Sequence, residues 1–245
     1  MAAEETLALQ ASPQPLAHSA AEQIGRRIVA GDWKPGSVLP NLDRLAAQYS
    51  VSRLSIREAM KVLIGKGLVE SRPRRGTIVR PRAEWSRLDP DILVWQLAEV
   101  PSAAFVRSVF EARMIIEPEA AALVAQRATE EVLGEIERAF TAMAETDPRS
   151  PESIKADVAF HTAILTGTGN EFIAAFAPVI ATSLTVTFGV QRVVRADQSH
   201  FVPNHRAIFD AIKRGDADGA RAAFRSLLKQ AETDAIEGIM KKGKK

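Results

Sequence analysis

The 245-residue chain contains no cysteine, which excludes disulfides, thiolate zinc sites and a cysteine nucleophile. It also has no apolar run approaching the roughly 18 to 20 residues that span a bilayer. The first residues lack the basic and apolar regions of a signal peptide. Apolar residues make up 46% and charged residues 25%, as in ordinary globular proteins. We therefore expect a cytoplasmic protein without a membrane partner.

Positive charge is concentrated in the first third of the chain. Residues 26–82 contain 13 Lys and Arg against 4 Asp and Glu, whereas residues 83–245 contain 19 against 23. This asymmetry indicates that only the first part contacts a polyanion. Two differently solvated surfaces would explain the charges equally well.

The N-terminal part has the order of elements of a winged helix-turn-helix over residues 16–81. Residues 1–15 lack periodicity, so we expect a flexible arm there. Apolar residues at helical spacing predict three helices, at residues 17–30, 41–49 and 53–66. Alternating apolar residues predict the two strands of a hairpin, at residues 68–71 and 77–79. A short polar turn at 50–52 separates the second and third helices.

The remainder predicts a mainly α fold, with an all-α bundle of six to seven helices over residues 100–238. We interpret residues 82–99 as a linker or junction and residues 239–245 as a disordered basic tail. Breaks are expected near residues 101, 146–151, 167–169, 196–203 and 215. Pro118 and Pro178 lie inside apolar-periodic stretches and should kink or divide those helices.

The start of the third helix has the residues of a DNA-reading element. In a helix-turn-helix, the first residues of the second helix of the motif enter the major groove. Arg53 and Arg57 lie four apart and so on one face, and arginine suits the two acceptors of guanine. Ser52 can cap the helix or bind phosphate.

Arg74 and Arg75 occupy the predicted hairpin tip, where they would reach the DNA backbone or a minor groove. Gly76 permits the positive φ that a tight tip often needs. The alternative is that these arginines and those of the third helix form a solvated face without a nucleic-acid partner.

The motif residues resemble those of the GntR family of bacterial regulators. The match comprises residues 51–59, Leu63, 67–69 and 74–76. It implies that Arg53 and Arg57, with the hydroxyls of Ser52 and Ser55 and the wing tip, contact operator DNA. The family usually has a Glu-Arg pair early in the second helix, where this chain has Leu42-Asp43. Arg44 could replace that arginine, although it points about 100° away around the helix.

Three residues of the helical part have the spacing of a metal site. Asp157 and His161 lie four apart, so one helix presents an oxygen and an imidazole nitrogen to the same point. His205, near the start of a later helix, can complete a set of three. The mixed donors suit Zn, Ni or Mn, with open positions for a carboxylate. A core histidine beside a surface aspartate is the alternative.

Arg113 lies on an otherwise apolar helix face. An arginine is costly to bury unless it meets an anion, which indicates binding of a carboxylate ligand. An intrahelical pair with Glu117 is the alternative explanation.

The second part of the chain resembles the all-helical FCD effector domain of the FadR subfamily. The match comprises residues 111–113, 117–118, 157–161, 169–170 and 205–212. It implies a pocket that holds a divalent metal and an acidic metabolite, with Arg113 and Asn170 on the effector side. Many members carry a further histidine where this chain has Leu227, and losing that ligand lowers metal affinity or changes the metal.

The junction segment 84–95 resembles that of regulators similar to the galactonate-operon repressor, which implies a sugar acid as effector. We therefore expect a transcription regulator, a repressor, that binds an inverted-repeat operator as a homodimer and responds to a small carboxylate.

Two other functions would use parts of the same sequence. A metal-dependent enzyme could use the same three residues, but the chain has neither an H-E-x-x-H motif nor a G-x-S-x-G elbow. A ligand-independent DNA-binding protein is the other, and operator release by a metabolite would separate it from a sensor.

Overall fold

The computed structural model describes residues 13–99, 102–148, 150–191 and 200–242. The chain divides after Val100 into two compact units. The N-terminal unit contains helices α1 to α4 and strands β1 and β2, at Pro13–Ala30, Leu42–Tyr49, Arg53–Gly65, Pro90–Glu99, Val69–Arg72 and Gly76–Val79. The C-terminal unit contains helices α5 to α11, at Ala103–Arg127, Glu130–Glu145, Pro151–Gly167, Glu171–Ala174, Ala177–Gln191, Phe201–Lys213 and Ala217–Lys242.

Side-chain caps begin the two helices of the helix-turn-helix. Asn41 Oδ1 accepts a hydrogen bond from the amide of Arg44 at 2.9 Å. Ser52 Oγ accepts from the amide of Ser55 at 3.0 Å. Each cap satisfies an amide that has no partner inside its helix. The predicted helix boundaries therefore agree with the structure to within one residue at these starts.

The hairpin is antiparallel, and its register runs from Val69 opposite Val79 to Arg72 opposite Gly76. Gly76 has a φ of 88°, the positive value expected from the sequence, and Arg74 also has a positive φ of 61°. The tip residues are exposed. The winged helix-turn-helix predicted from the sequence is confirmed.

Part of the predicted linker is a core element, which corrects that prediction. Within residues 82–99, α4 packs on α1. Ile92 and Trp95 belong to the same buried cluster as Ile24 and Ile28. The indole of Trp95 lies against Gly25, whose missing side chain leaves room for the ring. Burial of these apolar side chains explains why the segment is helical and packed.

The two ends of the chain also differ from the prediction. Helix α1 begins at Pro13, inside the predicted arm, because proline suits the first turn of a helix. The rest of the arm, residues 1–12, lies outside the described residues. Helix α11 continues to Lys242, so the predicted tail at 239–245 is helical over its first four residues. Residues 243–245 lie outside the description.

The C-terminal unit is a helical bundle with a separate core. Helix α5 packs on α11, α7 packs on α6 and α9, and α10 packs on α11. Phe140 stacks on Phe209 with 5.3 Å between ring centroids, and Phe160 approaches Phe140 edge-on at 6.5 Å. Seven helices fall within the described residues, which agrees with the predicted six to seven. None of the described helices is long and apolar enough to cross a membrane.

The two prolines have different effects on their helices. Helix α5 runs without interruption through Pro118. Pro178 is the second residue of α9, where the backbone amide has no intrahelical acceptor to lose. Pro118 therefore does not divide α5, and the expected kink there stays a prediction. Pro178 directly follows the break between α8 and α9, which agrees with the expected division.

Candidate functional site

The N-terminal half of α3 presents arginines to the outside of its unit. Arg53 and Arg57 are exposed, whereas Ile56 and Met60 point into the core. The predicted division of this helix into a basic face and an apolar face is what the structure has. This geometry suits a recognition helix, whose first turns read base edges.

The side chains of the two serines at the start of this helix contact each other. Ser55 is buried and its Oγ lies 2.9 Å from Ser52 Oγ. Ser52 remains exposed at the cap position. Burial places Ser55 outside the exposed surface that the arginines form, and its expected DNA contact stays a prediction.

Asp43 on α2 lies next to the recognition helix, a feature that the sequence reading missed. Its Oδ1 is 3.4 Å from Arg53 Nε, and both side chains are more than half exposed. An exposed pair of this kind stabilises by about 0–1 kcal/mol. The acidic residue therefore adds little to the stability of the fold, and its main effect is on the charge of this exposed face. The sequence did contain one sign of this feature, because Leu42-Asp43 stands where the family usually has a Glu-Arg pair.

Leu54 is a second residue that the sequence reading did not select. It lies in the first turn of α3 and is 53% exposed. An apolar side chain at this place can contact the methyl group of thymine. Arg44, Arg74 and Arg75 are also exposed, and they complete the basic surface of the unit.

A chain of buried ionic contacts crosses the C-terminal unit from α5 to α7. Arg113 Nε donates to Glu117 Oε1 at 2.6 Å. The other oxygen of Glu117 contacts Nδ1 of His161. All three side chains are at most 2% exposed. The intrahelical pair of Arg113 and Glu117, one of the two explanations left open by the sequence, is therefore present.

Asp157, His161 and His205 come together as the spacing predicted. The Nε2 atoms of His161 and His205 lie 3.6 Å and 2.9 Å from Asp157 Oδ1. One donor atom from each residue lies within 4.8 Å of the other two, and all three residues are buried. Nδ1 of His205 donates to the carbonyl oxygen of Phe201 at 2.7 Å. Both rings thus turn Nε2 toward the same aspartate oxygen.

Burial and neighbouring charges act in opposite directions on these groups. Burial alone would raise the pKa of Glu117, but the charges of Arg113 and His161 hold it below its usual value. Burial likewise opposes ionisation of Asp157, yet its contacts with His161 and His205 lower its pKa. For His161, burial is outweighed by Glu117 and Asp157, which raise the pKa to about 9. The buried charges of Arg113 and His161 therefore balance those of the two carboxylates.

Unpartnered polar atoms are concentrated in this cluster. Within the described residues, five buried side-chain atoms form no hydrogen bond of good geometry: Arg113 Nη2, Ser153 Oγ, Asp157 Oδ1, His161 Nε2 and His205 Nε2. Two of them, Asp157 Oδ1 and His205 Nε2, nevertheless lie 2.9 Å apart. Ser153 lies one turn before Asp157 on α7. A buried polar atom without a partner costs roughly 1–3 kcal/mol, so this cluster is a candidate site for a ligand or an ion.

Two family models match the chain. Residues 16–79 match the model described as bacterial regulatory proteins, gntR family, and residues 108–230 match the FCD domain. The chain belongs to the GntR family of bacterial regulators. It is a DNA-binding transcription regulator with an effector domain, and the family is not one of enzymes.

Relatives of this GntR regulator align over nearly the whole chain. The Escherichia coli K12 regulator YieP is 32% identical, over 91% of this chain and 96% of its own. The galactonate operon transcriptional repressor of the same organism is 31% identical, over 84% and 90%. A putative L-lactate dehydrogenase operon regulatory protein of that organism is 33% identical, over 90% and 86%.

A solved structure shares the fold of this GntR regulator. It is that of Lar, described as controlling the Listeria monocytogenes agr system, with a TM-score of 0.62 and 16% identity. The alignment covers 90% of this chain and 96% of that one. At this identity the likeness concerns the fold alone.

Two positions that the family resemblance singled out contribute no buried polar side-chain atom. Asn170 is exposed, and its Oδ1 caps α8 by accepting from the amides of Phe172 and Ile173 at 3.0 and 3.4 Å. The structure thus gives Asn170 a capping role and no place among the buried polar groups. Leu227 on α11 is 7% exposed and offers no donor atom.

Proposed function

We propose that this GntR regulator is a cytoplasmic repressor whose helical unit binds a small hydroxy carboxylate, a sugar acid, through a divalent metal ion and Arg113. Binding of the acid then lowers the affinity of the N-terminal unit for its operator. The observation that carries this proposal is the convergence of three buried donor atoms, from Asp157, His161 and His205, within 4.8 Å of one another.

The donor set fits a metal ion. One carboxylate oxygen and two imidazole nitrogens suit Zn, Ni or Mn. The second nitrogen of each ring is engaged, His161 with Glu117 and His205 with the carbonyl of Phe201. Such outer contacts fix the orientation of metal-binding histidines. When bound, the ion would offer open coordination positions to an oxygen ligand.

Arg113 supplies the cationic part of the proposed effector site. Its Nε pairs with Glu117, but Nη2 is buried and has no partner. A carboxylate would satisfy that donor with a charge-assisted hydrogen bond. The names of two relatives concern a galactonate operon and an L-lactate dehydrogenase operon, and galactonate and lactate are both hydroxy acids. That shared chemistry supports a hydroxy carboxylate.

For DNA binding we propose contacts from the exposed residues of the N-terminal unit: Arg44, Ser52, Arg53, Arg57, Arg74, Arg75 and Gly76. One short recognition helix reads few base pairs, so affinity and specificity require a second copy. We therefore propose a homodimer on an inverted repeat. Light scattering at micromolar concentration should give twice the chain mass, and a monomer that stays monomeric on DNA would exclude this assembly.

Metal binding can be tested with two matched histidines of the same region. His205→Ala should abolish zinc, nickel or manganese binding in a metal titration of chelator-treated protein. His200→Ala, an exposed position at the start of α10, should bind like the wild type. If both variants bind the metal with the same affinity, His205 is not a ligand and the proposed metal site is wrong.

The effector can be tested by thermal shift with hexonates, uronates, lactate and neutral sugars, before and after chelation. A ligand at one hundred times its Kd stabilises the folded state by about 2.7 kcal/mol. We expect a sugar acid to give the largest shift, and chelation or Arg113→Ala to remove most of it. Larger shifts with neutral sugars would refute the carboxylate assignment, and the absence of operator release would favour a ligand-independent DNA-binding protein.

A further inference from the structure

Glu117 lies between the cation of the proposed effector site and one ligand of the proposed metal site. We propose that Glu117 is a positioning residue that holds the tautomer of His161 needed for metal binding, and so links Arg113 to the ion. The inference rests on the proposed function, because it assigns a residue that acts through His161 rather than one that touches the ion.

The hydrogen-bonding capacities of the three side chains permit one arrangement. Arginine only donates and an ionised carboxylate only accepts, so Glu117 Oε1 accepts from Arg113 Nε. The other oxygen of Glu117 then accepts from Nδ1–H of His161. A ring that keeps its proton on Nδ1 leaves Nε2, beside Asp157 Oδ1, as the nitrogen for a metal ion, which displaces the second proton that the metal-free ring carries there.

Burial makes this dependence on Glu117 strict. Arg113, Glu117 and His161 are each about 1% exposed, so bulk water cannot replace the carboxylate. The other imidazole ligand is held differently, since Nδ1 of His205 donates to the backbone carbonyl of Phe201. Of the two histidines, His161 alone depends on a side chain for its tautomer.

The substitution Glu117→Gln should invert that tautomer without changing the shape of the side chain. Because Arg113 Nε only donates, the amide oxygen must face it, and the amide NH₂ then faces His161. Nδ1 must become an acceptor, which moves the ring proton to Nε2, the nitrogen that the ion needs. A ring protonated at Nε2 cannot bind a metal through that atom.

A second substitution should restore binding. In the double variant Arg113→Met, Glu117→Gln, no donor holds the amide oxygen on the arginine side. The amide can turn its oxygen toward Nδ1–H of His161, and the metal-binding tautomer returns. A residue with a purely structural role would not recover metal affinity when its partner is also removed.

The experiment is a competition titration of full-length, chelator-treated protein with zinc and a chromophoric chelator. Loss of an outer partner typically weakens metal binding about 10- to 100-fold, and we expect that loss for Glu117→Gln and substantial recovery in the double variant. Glu119→Gln is the matched control, because Glu119 lies on the same helix but pairs with Arg221 at 2.9 Å on the surface. It should bind zinc like the wild type.

Nitrogen-15 NMR of the histidine rings gives a second readout that does not require a fully stable variant. Zinc-loaded wild type should show His161 protonated at Nδ1 with Nε2 on the metal. Wild-type affinity in Glu117→Gln, or metal on Nδ1 of His161 in the wild type, would overturn this inference alone. Failure of the wild type to bind any metal would overturn the metal site of the proposed function and this inference with it.

Discussion

The acidic residue beside the recognition helix offers a test of DNA binding that needs no knowledge of the operator. Asp43 lies in the first turn of α2, 3.4 Å from Arg53, with 68% of its side chain exposed. Asp43→Arg replaces a negative charge with a positive one at this place. The lost ion pair is worth about 0–1 kcal/mol, so the free energy of unfolding should change by no more than about 1 kcal/mol.

The effect on DNA should be larger than the effect on folding. Removing a charge about 4 Å from a phosphate is worth roughly 1 kcal/mol in water, which corresponds to about a fivefold gain in affinity. One new phosphate contact steepens the salt dependence of binding by about 0.9 in the logarithmic slope. Between 50 and 200 mM salt, the variant should therefore lose about threefold more affinity than the wild type.

Fluorescence anisotropy with a labelled duplex of arbitrary sequence, titrated at several salt concentrations, measures both quantities. Asp218→Arg is the control, because Asp218 lies on α11 in the other unit and its side chain is 97% exposed. It changes the net charge by the same amount. An unchanged slope for Asp43→Arg, or an equal gain for Asp218→Arg, would refute the placement of the α2 start at the DNA surface.

Three further outcomes are expected. Arg57→Ala should cost about 1–3 kcal/mol on the specific operator and relax preference at one base pair, and unaltered preference in a binding-site selection would remove Arg57 from base readout. Gly25→Ala should lower the free energy of unfolding, because its Cβ would lie 2.8 Å from Cε3 of Trp95 and closer to other ring atoms. Overpacking costs about 1–3 kcal/mol, which exceeds the stability that alanine gains from its higher helix propensity. If chemical denaturation showed the variant to be more stable than the wild type, α4 would not pack at this place. Ser153→Ala removes a buried hydroxyl without a partner, so the melting temperature of the ligand-free protein should not fall, while the thermal shift given by a hydroxy acid should shrink. A lower melting temperature would mean that the hydroxyl has a partner within the fold.

The order of local elements was predictable because each depends on neighbours in the chain. The caps at Asn41 and Ser52 satisfy amides three residues on, and Gly76 adopts the positive φ expected at a hairpin tip. The pair Asp157 and His161 was likewise predictable, since a helix places residues four apart on one face. Local sequence also identified His205 as the third donor, through its place near a helix start.

The sequence alone was less informative where distant segments meet. It indicated a linker at residues 82–99, because nothing local tells that Trp95 fills the space over Gly25, about 70 residues earlier.

By itself, the sequence therefore determined the family, the winged helix-turn-helix, the helical second unit and the three residues of the candidate metal site, since these depend on spacing and on local hydrogen bonds. Tertiary structure alone decided that Glu117 contacts His161, 44 residues away, and that Asp43 lies against Arg53. It also decided that Ser55 is buried. Contacts between helices depend on how their faces pack, and helical periodicity specifies the face but not the partner that covers it.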